Sequence, residues 1–297
     1  MRLEGIHHIT AITGDAQANV DFYVDRLGLR LVKKTVNQDD PTVYHLFYAD
    51  ERGSAGSDIT FFEYPGARRG HAGAGMVHRV LWRVGSPESL DFWAERLGVE
   101  RDGESVRFAD PEGLEHELVV DTSGEEPLSA EHPEIPAEHR LRGFAGARAY
   151  AAAPDQSARF LESLGFEPGW VAEGDDRSGT YVYDATDETG RPGAGTVHHI
   201  AWASRIGDHE AWRDRAQQAG SRPTPIVERF YFKSIYFREP SGVLFEIATL
   251  GPGFTADEPL ETLGERLSLP PAFEGIRAQV EPVLTPIRNP RDSWTRA

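Results

Sequence analysis

The sequence predicts an α+β protein of four βαβββ modules in two tandem domains. Curved mixed sheets enclose a metal cleft, with modules one and four paired. Three observations carry this. A strand, a helix stopped by glycine, and further strands recur four times along the 297 residues. Two of the four opening strands hold an adjacent histidine pair, Gly5-Ile6-His7-His8-Ile9-Thr10 and Gly195-Thr196-Val197-His198-His199-Ile200. Two modules reach their last strand through similar turns, Asp110-Pro111-Glu112-Gly113 and Glu239-Pro240-Ser241-Gly242. One module is too small to bury a sheet by itself, so copies must pair, and paired copies can close a sheet around a ligand.

The elements follow in order. Residues 5–12 read as a strand. A helix runs from an Asp15 cap through Val20, Tyr23 and Leu27 to a stop at Gly28. Strands follow at 29–37, 44–49 and 57–64, the last two separated by a Gly- and Ser-rich turn. Module two reads as strand 76–84, helix 86–97 stopped by Gly98, and strands 106–109 and 114–120. Module three reads as strand 144–152, helix 156–164 stopped by Gly165, and a later strand at 180–184. Module four reads as strand 196–203, helix 208–219 stopped by Gly220, and strands 226–230, 234–238 and 243–249. The domains expected are 1–125 for modules one and two and 143–250 for modules three and four. Between them lies an acidic, Pro-rich linker, 126–142. A tail, 251–297, carries a short helix near 273–280.

Composition narrows the chemistry. There is no cysteine, so disulfides, thiolate nucleophiles and Cys-held metals are excluded. The net charge of −17, from 31 basic against 48 acidic residues, argues against nucleic acid and anionic membranes as partners. With neither a spanning apolar run nor a signal-like start, the chain reads as soluble and cytoplasmic. Homo-oligomerisation is left open.

Any metal must then sit on His, Asp, Glu or water. Glu246, in Gly242-Val243-Leu244-Phe245-Glu246-Ile247, is a carboxylate in an otherwise apolar strand. Such a group needs a cation: a metal, or an arginine such as Arg229 or Arg238. His8 holds the module-one position that matches His199. Two histidines and a carboxylate from separate strands form the facial triad of non-heme Fe(II) oxygenases. The other modules act as internal controls. Module two has His78-Arg79 but keeps Glu117. Module three has Gly146-Ala147 at the pair. Module one has Thr60 where module four has Glu246, and Glu63 lies three residues on, facing the other way. One site, shared by the first and last modules, is the expectation. Adjacent strand residues face opposite ways, so one ring of each pair should look into a pocket and the other away. His45, His71, His116, His132, His139 and His209 are assigned to structure or surface.

The His-His strand, Tyr44-His45-Leu46, Ile135-Pro136-Ala137-Glu138-His139, Arg142-Gly143-Phe144 and Gly253-Phe254-Thr255 with Asp257-Glu258 extend the pattern. Together they resemble the vicinal-oxygen-chelate (glyoxalase/bleomycin-resistance/extradiol dioxygenase) superfamily, in its hydroquinone 1,2-dioxygenase-like, ring-cleaving branch. The resemblance spans nearly the whole chain and implies Fe(II), with Mn(II) as the alternative, on His8, His199 and Glu246. It further implies His7, Thr10, His198, Arg229 and Tyr236 around them, with Thr10 in the substrate pocket. A local departure is Arg229-Phe230-Tyr231-Phe232, where relatives often carry Gly after the Arg.

The activity expected is O₂ insertion into a hydroquinone- or catechol-like ring. His198, then His7, are the candidates for moving protons, and Tyr236 and Arg229 for holding the developing anion. Two alternatives stand beside it. A glyoxalase-type lyase or isomerase would use Ni or Zn and a further carboxylate. A metal-free protein could instead bind a planar small molecule.

Overall fold

The computed structural model describes residues 1–294. Module one comprises β1 (Ile6–Thr13), α1 (Ala16–Val20), β2 (Arg30–Asn37), β3 (Asp40–Ala49) and β4 (Asp58–Glu63). The Asp15 carboxylate accepts the Ala18 N–H at 3.0 Å and starts α1. The helix then widens into a π-helical turn, Asp21–Arg26, so the single helix expected here is two.

Module two comprises β5 (Met76–Val84), α2 (Pro87–Leu97), a two-residue β6 (Arg101–Asp102), β7 (Ser105–Ala109) and β8 (Glu115–Val120). Ser86 caps α2, and Gly98, at φ 70°, ends it in the left-handed conformation that glycine adopts most easily. Module three is a strand short. It has β9 (Phe144–Ala151), α3 (Ala158–Leu164), β10 (Val171–Glu173) and β11 (Ser178–Ala185). Module four comprises β12 (Val197–Ser204), α4 (His209–Gln218), β13 (Val227–Glu228), β14 (Lys233–Arg238) and β15 (Leu244–Thr249). β13 is shorter than its sequence suggests, because Phe230 takes a left-handed φ of 67° and turns the chain out of the strand.

The strands form two mixed sheets. An 8-stranded sheet runs β13-β14-β15-β12-β1-β4-β3-β2, and a 7-stranded one runs β10-β11-β9-β5-β8-β7-β6. Module one thus pairs with module four, and module two with module three. Each sheet takes one module from each half of the chain. The joints are antiparallel: β1 against β12 and β5 against β9. The segments that carry the chain between sheets, around 65–75 and 187–195, run side by side. Gly73 and Gly190 meet there so closely that a Cβ on either would strike the other segment.

The convex faces are apolar and covered by helices. Leu90 and Trp93 of α2, Phe160, Leu161 and Leu164 of α3, and Trp212 and Ala216 of α4 are all buried. They join Trp82, Trp202, Tyr181 and Phe245 from the strands in one continuous core. Polar side chains gather instead on the concave side of the larger sheet. The tail lies against module one. Its expected helix is broken at Gly275-Ile276 into α5 (Pro271–Glu274) and α6 (Arg277–Val280). Among the described residues no helix is long and apolar enough to cross a membrane.

Candidate metal centre

Three neighbouring strands supply the centre. β12 runs antiparallel to β1 and parallel to β15, with Thr10 opposite His199, His8 opposite Ala201, and Ala201 beside Glu246. That register turns His8, His199 and Glu246 onto one concave face, where their donor atoms lie within 4.8 Å of one another. His199 Nε2 is 2.9 Å and His8 Nε2 3.3 Å from Glu246 Oε2. The two Nε2 atoms are 3.3 Å apart. All three side chains are buried.

As expected, only one ring of each pair faces the cleft, but the other does not turn fully away from it. Pairing skips His7 between Ile6 and His8, and skips His198 between Val197 and His199. Each is the extra residue of a β-bulge, which re-aims its side chain. His7 Nδ1 comes to 2.9 Å from His8 Nδ1, and His198 Nδ1 to 2.8 Å from His199 Nδ1. His7 Nε2 is 3.2 Å from the Thr249 carbonyl oxygen, to which it can only donate. That leaves His7 Nδ1 as an acceptor for the His8 Nδ1–H, and His8 Nε2 bare toward Glu246. For His8 this fixes the tautomer a metal-binding imidazole needs. His198 and His199 share the same Nδ1-to-Nδ1 contact, although the His198 ring reaches solvent and no carbonyl sets its direction. Neither His7 nor His198 lines the cleft in front of the trio.

Glu246 answers the question of what a buried carboxylate pairs with. Neither arginine takes it: Arg238 donates to the Gly242 carbonyl, and Arg229 to Asp39 and the Tyr236 hydroxyl. Ser234 Oγ donates to Glu246 Oε1 at 2.5 Å, while the buried Oε2 has no hydrogen bond. Burial lowers the pKa of His199, keeping it neutral. A buried carboxylate with a free oxygen, facing two imidazole nitrogens, fits a divalent cation of the Fe(II) or Mn(II) kind.

The other sheet shows the same position without histidines. Register there equates Arg79 with His8 and Glu117 with Glu246. Arg79 Nη1 lies 3.1 Å from Glu117 Oε2, so a guanidinium supplies the positive charge. The module-three match to His198-His199 is Ala145-Gly146, one residue before the pair read from sequence. Thr60 does match Glu246, since it pairs with Thr10 as Glu246 pairs with Ala201. Glu63 bonds Thr285 under the tail and is absent from the cleft lining.

Of the remaining expected residues, Arg229 and Tyr236 line the cleft. Arg229 Nε–H donates to the Tyr236 hydroxyl at 3.2 Å, and Nη1 and Nη2 hold Asp39 at 3.1 and 3.0 Å across the cleft mouth. Burial raises the Tyr236 pKa, so it stays protonated. Thr10 is fully buried behind the lining, accepting a hydrogen bond from Thr60. The sequence reading missed three contributors: Ser234, Phe232, whose ring is 5.2 Å from that of His8, and His45, which lines the cleft. His45 was signalled by the alternation Tyr44-His45-Leu46-Phe47-Tyr48, which puts His45 and Phe47 on the face away from the core.

The family model for the glyoxalase/bleomycin resistance protein/dioxygenase superfamily matches residues 5–118 and 75–247. The chain is 40% identical to "Putative ring-cleaving dioxygenase MhqA" of Bacillus subtilis, over 97% of this chain and 100% of that one. It is 35% identical to the chlorohydroquinone/hydroquinone 1,2-dioxygenase of Sphingobium indicum, over 94% of this chain and 95% of that one. A crystal structure described as a putative dioxygenase from Bacillus subtilis superposes with a TM-score of 0.87 at 40% identity, covering 97% of this chain and 98% of that one.

Proposed function

Because the chain belongs to the glyoxalase/bleomycin resistance protein/dioxygenase superfamily, we propose that it is a ring-cleaving dioxygenase. It uses one Fe(II), with Mn(II) as the alternative, on His8, His199 and Glu246. Its substrates are O₂ and a hydroquinone- or catechol-like aromatic ring. The observation that carries this is the buried trio with an unsatisfied carboxylate oxygen. When bound, the ion supplies Lewis acidity to a ring oxygen and a route for electrons from ring to O₂.

The protein's own groups do the rest. Glu246 is oriented by the Ser234 hydroxyl, and each ligand imidazole is held through its Nδ1 by the ring behind it. His7 and His198 therefore act through the ligands rather than by touching the substrate. Arg229 spends its Nε–H on the Tyr236 oxygen, which leaves the phenolic hydrogen free to donate to charge developing on the ring oxygen or on O₂. Phe47, Phe62 and Phe232 give the cleft apolar walls suited to a planar ring. Both atoms of O₂ end in the opened product. Thr60 in place of a carboxylate counts against the glyoxalase-type alternative.

The test is O₂ uptake by iron-loaded protein. Addition of a hydroquinone should consume one O₂ per ring lost, with the aromatic absorbance replaced by that of an open-chain product. Lack of uptake across a panel of hydroquinones and catechols would rule the reading out.

A further inference from the structure

His45 faces the cleft although the ligand set does not use it. The sheet order puts β3, its strand, two places beyond the strand of His8. At about 4.8 Å per strand that is roughly 10 Å along the sheet. His45 Nε2 lies 2.9 Å from Thr60 Oγ1, and the Thr60 hydroxyl gives its one proton to Thr10 Oγ1 at 2.8 Å. Nε2 is therefore the N–H of the ring, and Nδ1 carries the lone pair.

That Nδ1 has no hydrogen-bond partner among the described residues. It is also absent from the sealed, unpartnered atoms of the interior, so it opens on the cleft. Phe47 and Phe62 pack against the ring, with centroids at 3.9 and 4.4 Å, and fix where it points. Burial lowers the His45 pKa well below the ordinary histidine value. His8, His199 and Arg229 act in the same direction and Glu246 in the other, so the ring is neutral near pH 7.

We propose that His45 is a specificity-determining residue whose Nδ1 accepts a hydrogen bond from the hydroxyl at the far end of the substrate ring. This rests on the metal-site reading above and narrows it to para-dihydroxylated rings. A ring held by one oxygen at the trio carries its para oxygen away from those strands, whereas the second oxygen of a catechol stays beside the first. A nitrogen that accepts and cannot donate selects an O–H. It gains nothing from a methyl ether or from the carbonyl of an oxidised quinone.

Anaerobic binding tests this without turnover. Iron-loaded protein is titrated with hydroquinone and with 4-methoxyphenol, which keeps one hydroxyl and loses the second donor. The parent should bind hydroquinone about 5- to 10-fold more tightly, the worth of one hydrogen bond. In H45F that preference should vanish, with iron content and circular dichroism unchanged. In H45Q, whose amide oxygen can accept, part of it should return. A preference that survives in H45F overturns the assignment, as does a parent that binds the two phenols equally. Should H45F not fold, H45A against H45Q makes the same comparison. A parent that holds iron but binds neither phenol refutes the ring-substrate reading and this inference with it. An unchanged preference in H45F refutes this inference alone.

Discussion

Glu246 and Glu117 sit at matching registers of the two sheets, and each carboxylate needs a cation. Glu117 has the Arg79 guanidinium, while Glu246 has two imidazoles and one oxygen left over. The groups behind the trio should therefore matter to metal affinity without being essential to it. Ser234→Ala removes the hydrogen bond that orients Glu246, and His198→Phe removes the partner of His199. Each should weaken Fe(II) or Mn(II) binding about 10- to 100-fold, measured by competition with a chelator of known affinity. Affinity equal to the parent in both variants would contradict this. The trio was legible in the sequence because the repeat is its own alignment: His8 matches His199, and Thr60 stands where Glu246 does. His7 and His198 were legible as the rings that stay out of the cleft, but not as hydrogen-bond partners of the ligands, because alternation assumes a regular strand and each sits in a bulge. The outward direction of His45 was legible from alternation along its strand, but its place in the cleft and the role of Ser234 were not. Their roles depend on which strands become neighbours, and spacing along one strand does not reveal that.

At the scale of elements, the tail is fastened to β2 by a buried charge. Lys33, with no exposed surface, donates to Asp257 at 2.8 Å, to Glu258 and to the Phe254 carbonyl at 3.2 Å, beneath the Tyr231 ring. Lys33→Met keeps most of the volume but takes the nearest cation from the buried Glu258, while Asp257 keeps Tyr231 and Ser268, so it should destabilise by about 3–5 kcal/mol, read from the midpoint of urea unfolding. A change within error would mean that water replaces the lysine. The paired inter-sheet segments give a second case. Gly73→Ala puts a methyl into the backbone of Gly190 and should cost about 1–3 kcal/mol by overpacking, read in the same way. Helix ends were readable from Asp15 and the glycines because caps are local. The lost strand of module three, the π-helical turn after α1 and the break in the tail helix were not. The backbone there follows packing partners distant in sequence.

Across the whole molecule, the trio joins the two ends of the chain. His8 comes from the first module, His199 and Glu246 from the last, so a bound ion ties them together. Any ligand that binds only the folded state stabilises it by mass action, about 2.7 kcal/mol at a free concentration of 100 Kd. Stripping the metal with a chelator should therefore lower Tm by several degrees, restored by Fe(II) or Mn(II), whereas Glu246→Gln should melt alike with and without metal. A net charge of −17 favours cation uptake and repels anions, while a neutral phenol enters without penalty. The pairing of module one with module four was readable because only those two carry histidine pairs. The packing of the tail was not, since Lys33 alone gives no sign of Asp257 and Glu258 as partners.

The central claim is that His8, His199 and Glu246 hold one divalent metal ion, and metal analysis tests it most directly. Protein purified without chelator, and the same protein reloaded anaerobically with Fe(II), should carry about one ion per chain. His199→Ala and Glu246→Gln, folded by circular dichroism, should carry none. Either variant holding metal as well as the parent would contradict the account.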